Sequence, residues 1–375
     1  MTQLFEQFSP VSKSDWLEKI EKDLKGKSTE SLNLNIEKDL NISPFAHADD
    51  WNEAPSPILQ GRNTNNWEIG LRILVSDLKT ANGEALIHLS GGAKAICFEL
   101  ENNLQEQDLK ILLHGIQLEW ISVHFIINQN FQINFLTAFS GYLVSQKYDP
   151  HKISCSISIN EDHFALNTGT RKLEDFLSFL PLAKLFTVRI KPASGDDQSV
   201  IEELAVALAT GNRYIDQMML YGMNIRDYHQ RIQFSLYSIG DNYFLNIARI
   251  RALKILWQQV LQAWNKKILA KTPIAVHLNT YTQTDNEHYN KIKATAQAMA
   301  AIVGGIDQLF IYPSDQFKNE TGSPFAQRIA INIQHLMQLE SYMDRVVDPG
   351  AGSYYIENLT MELASQVWKR FQSMA

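Results

Sequence analysis

The sequence predicts an α/β protein: a (β/α)8 TIM barrel preceded by an N-terminal helical and extended arm. Three observations carry that prediction. From about residue 95, short β-branched apolar runs alternate with longer amphipathic segments, and such alternation implies parallel strands joined by crossover helices. Eight such runs occur, at 95–100, 120–127, 154–159, 186–191, 231–238, 274–281, 308–314 and 345–348. Eight repeats favour a closed barrel over an open doubly wound sheet, which stays as the alternative. Finally, the first 45 residues do not share the rhythm.

The elements follow in chain order. Residues 15–24 put Trp16, Leu17, Ile20 and Leu24 on one helical face, with Ser14 or Asp15 available as a cap. Ser43-Pro44-Phe45 and Ala54-Pro55-Ser56-Pro57 break regular structure. Residues 1–45 therefore read as an arm and 46–375 as the barrel. Helices are expected at 200–219, 243–267, 288–303 and 326–342. In the first of these, Val200, Ile201, Leu204, Ala205 and Leu208 keep the spacing of a single buried stripe. The pairs Gly91-Gly92 and Gly304-Gly305 read as tight turns into strands rather than nucleotide loops.

Composition narrows the function classes. The chain has 375 residues, of which 45% are hydrophobic and 20% charged. That is ordinary for a globular protein and enough to bury a large core without disulfides or structural metals. The formal net charge of -7 argues against a nucleic-acid or anionic-membrane binder. No run of ~18 apolar residues is present, so no membrane span is expected. The first residues carry no basic region followed by an apolar run, and the cytoplasm is the expected location. The two cysteines, Cys97 and Cys155, lie in apolar runs and read as buried thiols.

Chemistry is concentrated at strand ends. In Ile274-Ala275-Val276-His277-Leu278-Asn279-Thr280-Tyr281, period two puts His277, Asn279 and Tyr281 on one face. On an inward barrel face they would bind or protonate a ligand; a hydrogen-bonded core histidine is the plainer alternative. Arg231 opens another strand, where it either forks onto a carboxylate or phosphate or serves in a surface ion pair. Asp149-Pro150-His151 reads as a polar turn entering a strand. Phosphate-loop, dinucleotide and H-E-x-x-H zinc motifs do not occur in the sequence.

Several ordered segments resemble the methylmalonyl-CoA mutase family, in particular its small-subunit branch. Arg345-Val346-Val347-Asp348-Pro349-Gly350-Ala351-Gly352-Ser353-Tyr354-Tyr355-Ile356-Glu357 resembles the family's R-V-V-D-P-x-x-G-S-Y-Y-x-E. Arg328-Ile329-Ala330-Ile331-Asn332-Ile333-Gln334 resembles R-x-A-x-N-x-Q, and Glu203-Leu204-Ala205-Val206-Ala207-Leu208-Ala209-Thr210-Gly211 resembles E-L-A-x-A-L-A-x-G. Arg231-Ile232-Gln233-Phe234 is similar to R-L-S-F, and Ile247-Ala248-Arg249-Ile250-Arg251-Ala252 to I-A-K-x-R-A.

The resemblance implies a barrel that binds acyl-CoA along its axis and, in a complete family member, a separate domain binding adenosylcobalamin. It implies interconversion of succinyl-CoA and (R)-methylmalonyl-CoA in propionate metabolism by a heterodimer of a large catalytic and a small subunit. It places Arg231 at the family arginine on the substrate carboxylate, and His277 at the histidine on the thioester carbonyl, with Asn279 beside it. It also exposes departures. Arg72 falls where the radical-steering tyrosine is expected, Leu245-Asn246 replaces the cofactor-facing E-E, and H-x-Q-T-S-G-W becomes His277-Leu278-Asn279-Thr280-Tyr281-Thr282-Gln283. The expected function is a small subunit that does no catalysis, binds no cobalamin itself and stabilises the large subunit, its arm wrapping that partner. The alternatives are an active barrel that takes cobalamin from a separate chain, and an unrelated barrel hydrolase or lyase using His277.

Overall fold

The computed structural model describes residues 9, 11–38, 40–51, 55–102, 104–127, 134–158, 170–192, 199–220, 222–237, 239–269, 271–278, 283–318 and 321–374. Helix α1 (Lys13–Asp23) is followed by a hairpin of β1 (Leu34–Glu37) and β2 (Leu40–Ile42). The barrel then runs β3 (Glu68–Val75), α2 (Leu78–Ser90), β4 (Ala95–Leu100), α3 (Glu106–Leu112), β5 (Ser122–Ile127), α4 (Asn134–Ser145), β6 (Ser154–Ser158) and α5 (Thr170–Phe179). It continues with β7 (Phe186–Ile190), α6 (Val200–Leu220), the short α7 (Ile225–Tyr228), β8 (Ile232–Leu236), α8 (Tyr243–Trp264), β9 (Ile274–Leu278), α9 (Glu287–Gly304), β10 (Gln308–Ile311), α10 (Pro324–His335) and α11 (Tyr354–Gln372).

The large sheet has the order β6-β5-β4-β3-β10-β9-β8-β7, and its ladders are parallel. Its two ends meet at one bridge. Lys184 N donates to Cys155 O at 2.9 Å, and Ile157 N to Lys184 O at 3.0 Å, which draws β6 and β7 together into an eight-stranded barrel. The expected fold class is therefore the observed one.

The membership of the barrel differs from expectation at one strand. Residues 345–348 form turns, and the eighth strand is instead β3 at Glu68–Val75. The reason lies in Asp348. It is buried in the left-handed region (φ 51°), where aspartate is tolerated better than most residues. Its carboxylate pairs with Arg251 and accepts Ile58 N at 2.8 Å. Arg251 in turn lies 2.7 Å from Glu357. The Asp-Pro-Gly sequence thus serves a buried ionic knot, not a ladder.

Around the barrel, the expected helices stand with small boundary shifts, and α10 runs on into one π turn over Leu336–Glu340. Gly211 in α6 exists for close approach: a Cβ there would sit 2.7 Å from the Trp257 ring of α8. At the N-terminal end, Ser12 caps α1 in a reciprocal box with Asp15. Trp16 packs edge-on to Phe45 at 5.3 Å. The hairpin buries Leu40 and Ile42 in the main core, and Glu37 accepts Val200 N at 2.8 Å at the start of α6. Residues 58–65 strap the barrel floor. Arg62 donates to the carbonyls of Gly305 and Ile306, and Asn65 to those of Ile302 and Met343.

Candidate functional site: the barrel axis

Strand pleating aims alternate residues at the axis, so a barrel interior is built from every second position. Here that interior is unusually polar. At the lower, N-terminal level Glu68 accepts Ser122 Oγ (2.9 Å) and the Gln308 amide (2.7 Å), and Ser122 bonds Ser154 (2.9 Å). One level up, His124 Nε2 lies 3.0 Å from the Gln308 amide nitrogen and His124 Nδ1 lies 2.6 Å from Ser156 Oγ. Because Gln308 Nε2 can only donate, the network assigns the Nδ1–H tautomer to His124, donating to Ser156.

His277 occupies the same level from the other side. It is buried, with its ring stacked between Tyr237 (4.5 Å, 11°) and Phe310 (4.5 Å, 6°). His124 meets the same Phe310 edge-on at 5.6 Å. The period-two expectation of an inward His277 is thus met, and the surroundings are aromatic. Its Nδ1 has no hydrogen-bond partner among the described residues. Asn279 and Tyr281 lie outside the described residues.

Arg231 lies elsewhere. Pairing of Phe234 with Ile274 puts Arg231 and His277 six ladder positions apart, or roughly 20 Å at the usual rise. The Arg231 guanidinium donates to Leu177 O, Leu180 O and Ala183 O at 2.9–3.1 Å, at the C-terminal end of α5. This is the favourable place for a cation on a helix. Asp149 caps the short turn that enters β6, as its sequence suggested.

At the C-terminal mouth, Arg72 pairs with Glu99, bonds the Tyr312 hydroxyl and lies over that ring. Arg189 Nε donates to Ser158 Oγ at 2.6 Å. A cavity of about 370 Å3 opens beside Arg72, Glu99 and Tyr312. A cobalamin above this mouth would need polar groups free to meet it. The described residues do not fit it. Asn246 is buried with its amide bonded both ways to the Gly240 backbone, Leu245 is buried apolar, and the Arg72 guanidinium is already engaged. Among the described residues no group of three or more His, Cys, Asp or Glu gathers in metal-binding geometry.

Burial dominates the electrostatics. Desolvation drops His124 to about 3 and His277 well below 6.5, with Arg72, His124 and Arg189 adding to the effect on His277. Burial raises the Cys97 and Cys155 thiols to about 12, so neither is a thiolate at neutral pH. A pH dependence follows. Between pH 6.5 and about 3, the unfolded chain takes up protons that the folded barrel refuses at both histidines. Stability therefore falls with pH across that window. The urea midpoint should drop more steeply on acidification for the natural chain than for a His124→Gln/His277→Asn variant; parallel slopes would contradict the assignment.

Sequence reasoning missed the His124–Ser156–Gln308–Glu68 chain. The signal was available locally, since Ser122, His124 and Ile126 alternate on one face of a short strand. What was not available was the partner, 184 positions away in Gln308.

The parallel eight-stranded sheet closed by its seam defines the chain as a (β/α)8 barrel protein. A family profile described as methylmalonyl-CoA mutase matches residues 104–375. The chain belongs to the methylmalonyl-CoA mutase family. It is 30% identical over 397 residues to a methylmalonyl-CoA mutase small subunit of Porphyromonas gingivalis, covering 99% of this chain and 64% of that one. It is 26% identical over 380 residues to a small subunit of Streptomyces virginiae, covering 94% of this chain and 60% of that one. The large subunit of Propionibacterium freudenreichii subsp. shermanii is 32% identical over 187 residues, covering 46% of this chain and 24% of that one. The chain thus spans less than two thirds of the length of these relatives. No helix among the described residues is long and apolar enough to cross a membrane.

Proposed function

We propose that this chain is the barrel portion of a methylmalonyl-CoA mutase small subunit, a non-catalytic cytoplasmic partner that stabilises a large catalytic subunit. The observation that supports this reading is the occupied axis. Threading a substrate through a barrel needs an empty centre. Here the Tyr237–His277–Phe310 stack crosses the middle, and the Arg72–Glu99–Tyr312 cluster stands above it. Opening such a path would break stacked aromatic contacts worth about 0.5–1.5 kcal/mol per pair and take the partly buried Arg72 from its partners.

In this reading adenosylcobalamin and the succinyl-CoA/(R)-methylmalonyl-CoA chemistry reside in the large subunit. Arg231 holds the barrel floor, and His277 with Asn279 forms the region where any residual acyl-CoA contact would occur. The arm at 1–45 is the segment proposed to wrap the partner, in an interface of the size usual for permanent complexes. Co-expression with the large subunit, followed by size exclusion and a mutase assay, tests the proposal. The expected results are a 1:1 complex, turnover by the complex and none by this chain alone. Turnover by this chain when supplied with adenosylcobalamin, a cobalamin-binding chain and methylmalonyl-CoA, lost in His277→Ala, would overturn the scaffold reading.

A further inference from the structure

The N-terminal end of a (β/α)8 barrel is usually its closed floor, where residues serve stability. In this barrel the floor opens into a cavity of about 500 Å3. Its polar lining includes Ser154, Lys184, Gln233 and Lys271 together with two carboxylates, Glu68 and Asp307. The cavity stops at the level of Ala275 and Gln308. The next inward residues on those two strands are His277 and Phe310, which are stacked on one another. The space is therefore blind-ended, and its size lies in the range of small-ligand sites.

Lys184 is the unusual member. Its backbone makes the two hydrogen bonds that close the seam between β6 and β7, so its position is fixed by the fold. Its ammonium has no hydrogen-bond or ion-pair partner among the described residues. The acids nearest to it are already served. Asp307 pairs with Lys271 at 2.6 Å and accepts Ile274 N at 3.0 Å. The two Glu68 oxygens accept Ser122 and Gln308. Of its other titratable neighbours, Cys155 is a neutral thiol and Lys271 is a second cation. A largely desolvated cation whose nearest carboxylates are engaged by other donors is costly, and an anion entering the cavity would offset that cost. Burial correspondingly lowers the Lys184 ammonium from its ordinary range.

We propose that the floor cavity binds a short ligand through an oxyanion, a carboxylate or phosphate, held by the Lys184 ammonium. The Ser154 hydroxyl and the second amide hydrogen of Gln233 line the same cavity and can donate to it. Lys271, half-exposed at the rim, adds positive potential at the opening. The ligand is short because the aromatic stack closes the axis above it. This site is separate from the C-terminal mouth, and its existence does not depend on the chain being a small subunit.

The experiment is calorimetric titration of the full chain with inorganic phosphate and, separately, with malonate, each paired with a thermal-shift series. Saturable binding of one or both is expected, and the arm that binds more tightly identifies the oxyanion class. Lys184→Met should weaken binding by roughly ten- to a hundredfold, the value of one charge-assisted hydrogen bond. Because that substitution also removes a desolvated cation, the ligand-free variant should melt no lower than the natural chain while losing the ligand-induced rise. Ser154→Ala gives a second reading, with a smaller loss of affinity. Absence of saturable binding to either anion at millimolar concentration, or equal affinity in Lys184→Met, would overturn the proposal.

Discussion

Arg251→Met is expected to lower unfolding free energy by about 3–5 kcal/mol, the cost of breaking a buried ionic group from one side. Arg251 is 1% exposed and lies between two carboxylates, Asp348 and Glu357, which are themselves nearly buried. Removing the cation leaves two adjacent negative charges without compensation. It also loosens Asp348, which holds Ile58 N and so tethers the strap to the segment before α11. Equilibrium urea unfolding at neutral pH measures the effect. Adding Glu357→Gln to the variant should recover part of the loss, because one of the stranded charges disappears. A midpoint shift equivalent to less than about 1 kcal/mol would show that Asp348 and Glu357 find other partners and that the ionic knot contributes little to stability.

Trp257→Ala should cost a similar amount, about 3–5 kcal/mol. Its indole is 1% exposed, packs edge-on to Phe234 at 5.0 Å and fills the space over Gly211. The contact therefore joins α8 to both β8 and α6. Gly211→Ala alone should cost about 1–3 kcal/mol, since its Cβ would press on the indole. In the Trp257→Ala background the same methyl group enters a void and should be neutral or stabilising. Thermal unfolding of the four proteins gives the coupling directly, and additive effects would contradict the packing described.

The fold was largely legible because most strands are compact apolar runs with helices between them. The exceptions have physical causes. In β3, Gly70 and Arg72 interrupt the apolar pattern, since Gly70 yields space to the Phe310 ring and Arg72 serves Glu99 and Tyr312. In 345–348, two valines imitate a strand, but burial of Asp348 dictates a turn. The site was legible only where information was local. Period two located His277 on the axis, yet its aromatic sandwich depends on Phe310 of β10 and on Tyr237 just past the end of β8. Arg231 is legible as a strand-opening cation, while its engagement with the end of α5 depends on residues 48–54 positions away. Lys184 carries no sequence signal at all; its interest comes from the cavity that the closed barrel encloses.

The pairing of β3 with β10 also bears on how the protein is made. A ribosome finishes β3 long before it reaches Ile311, the last residue of its partner strand. The intervening stretch of 236 residues (311 − 75) takes about 10–50 s to synthesise at 5–20 residues per second. Through that interval one edge of β3 has no ladder partner, and the strap over 58–65 has neither Gly305 nor Asp348 to hold. Until β10 emerges the barrel cannot close, and β3 keeps an unpaired edge. Its exposure to misassembly ends only when the C-terminal quarter of the barrel emerges.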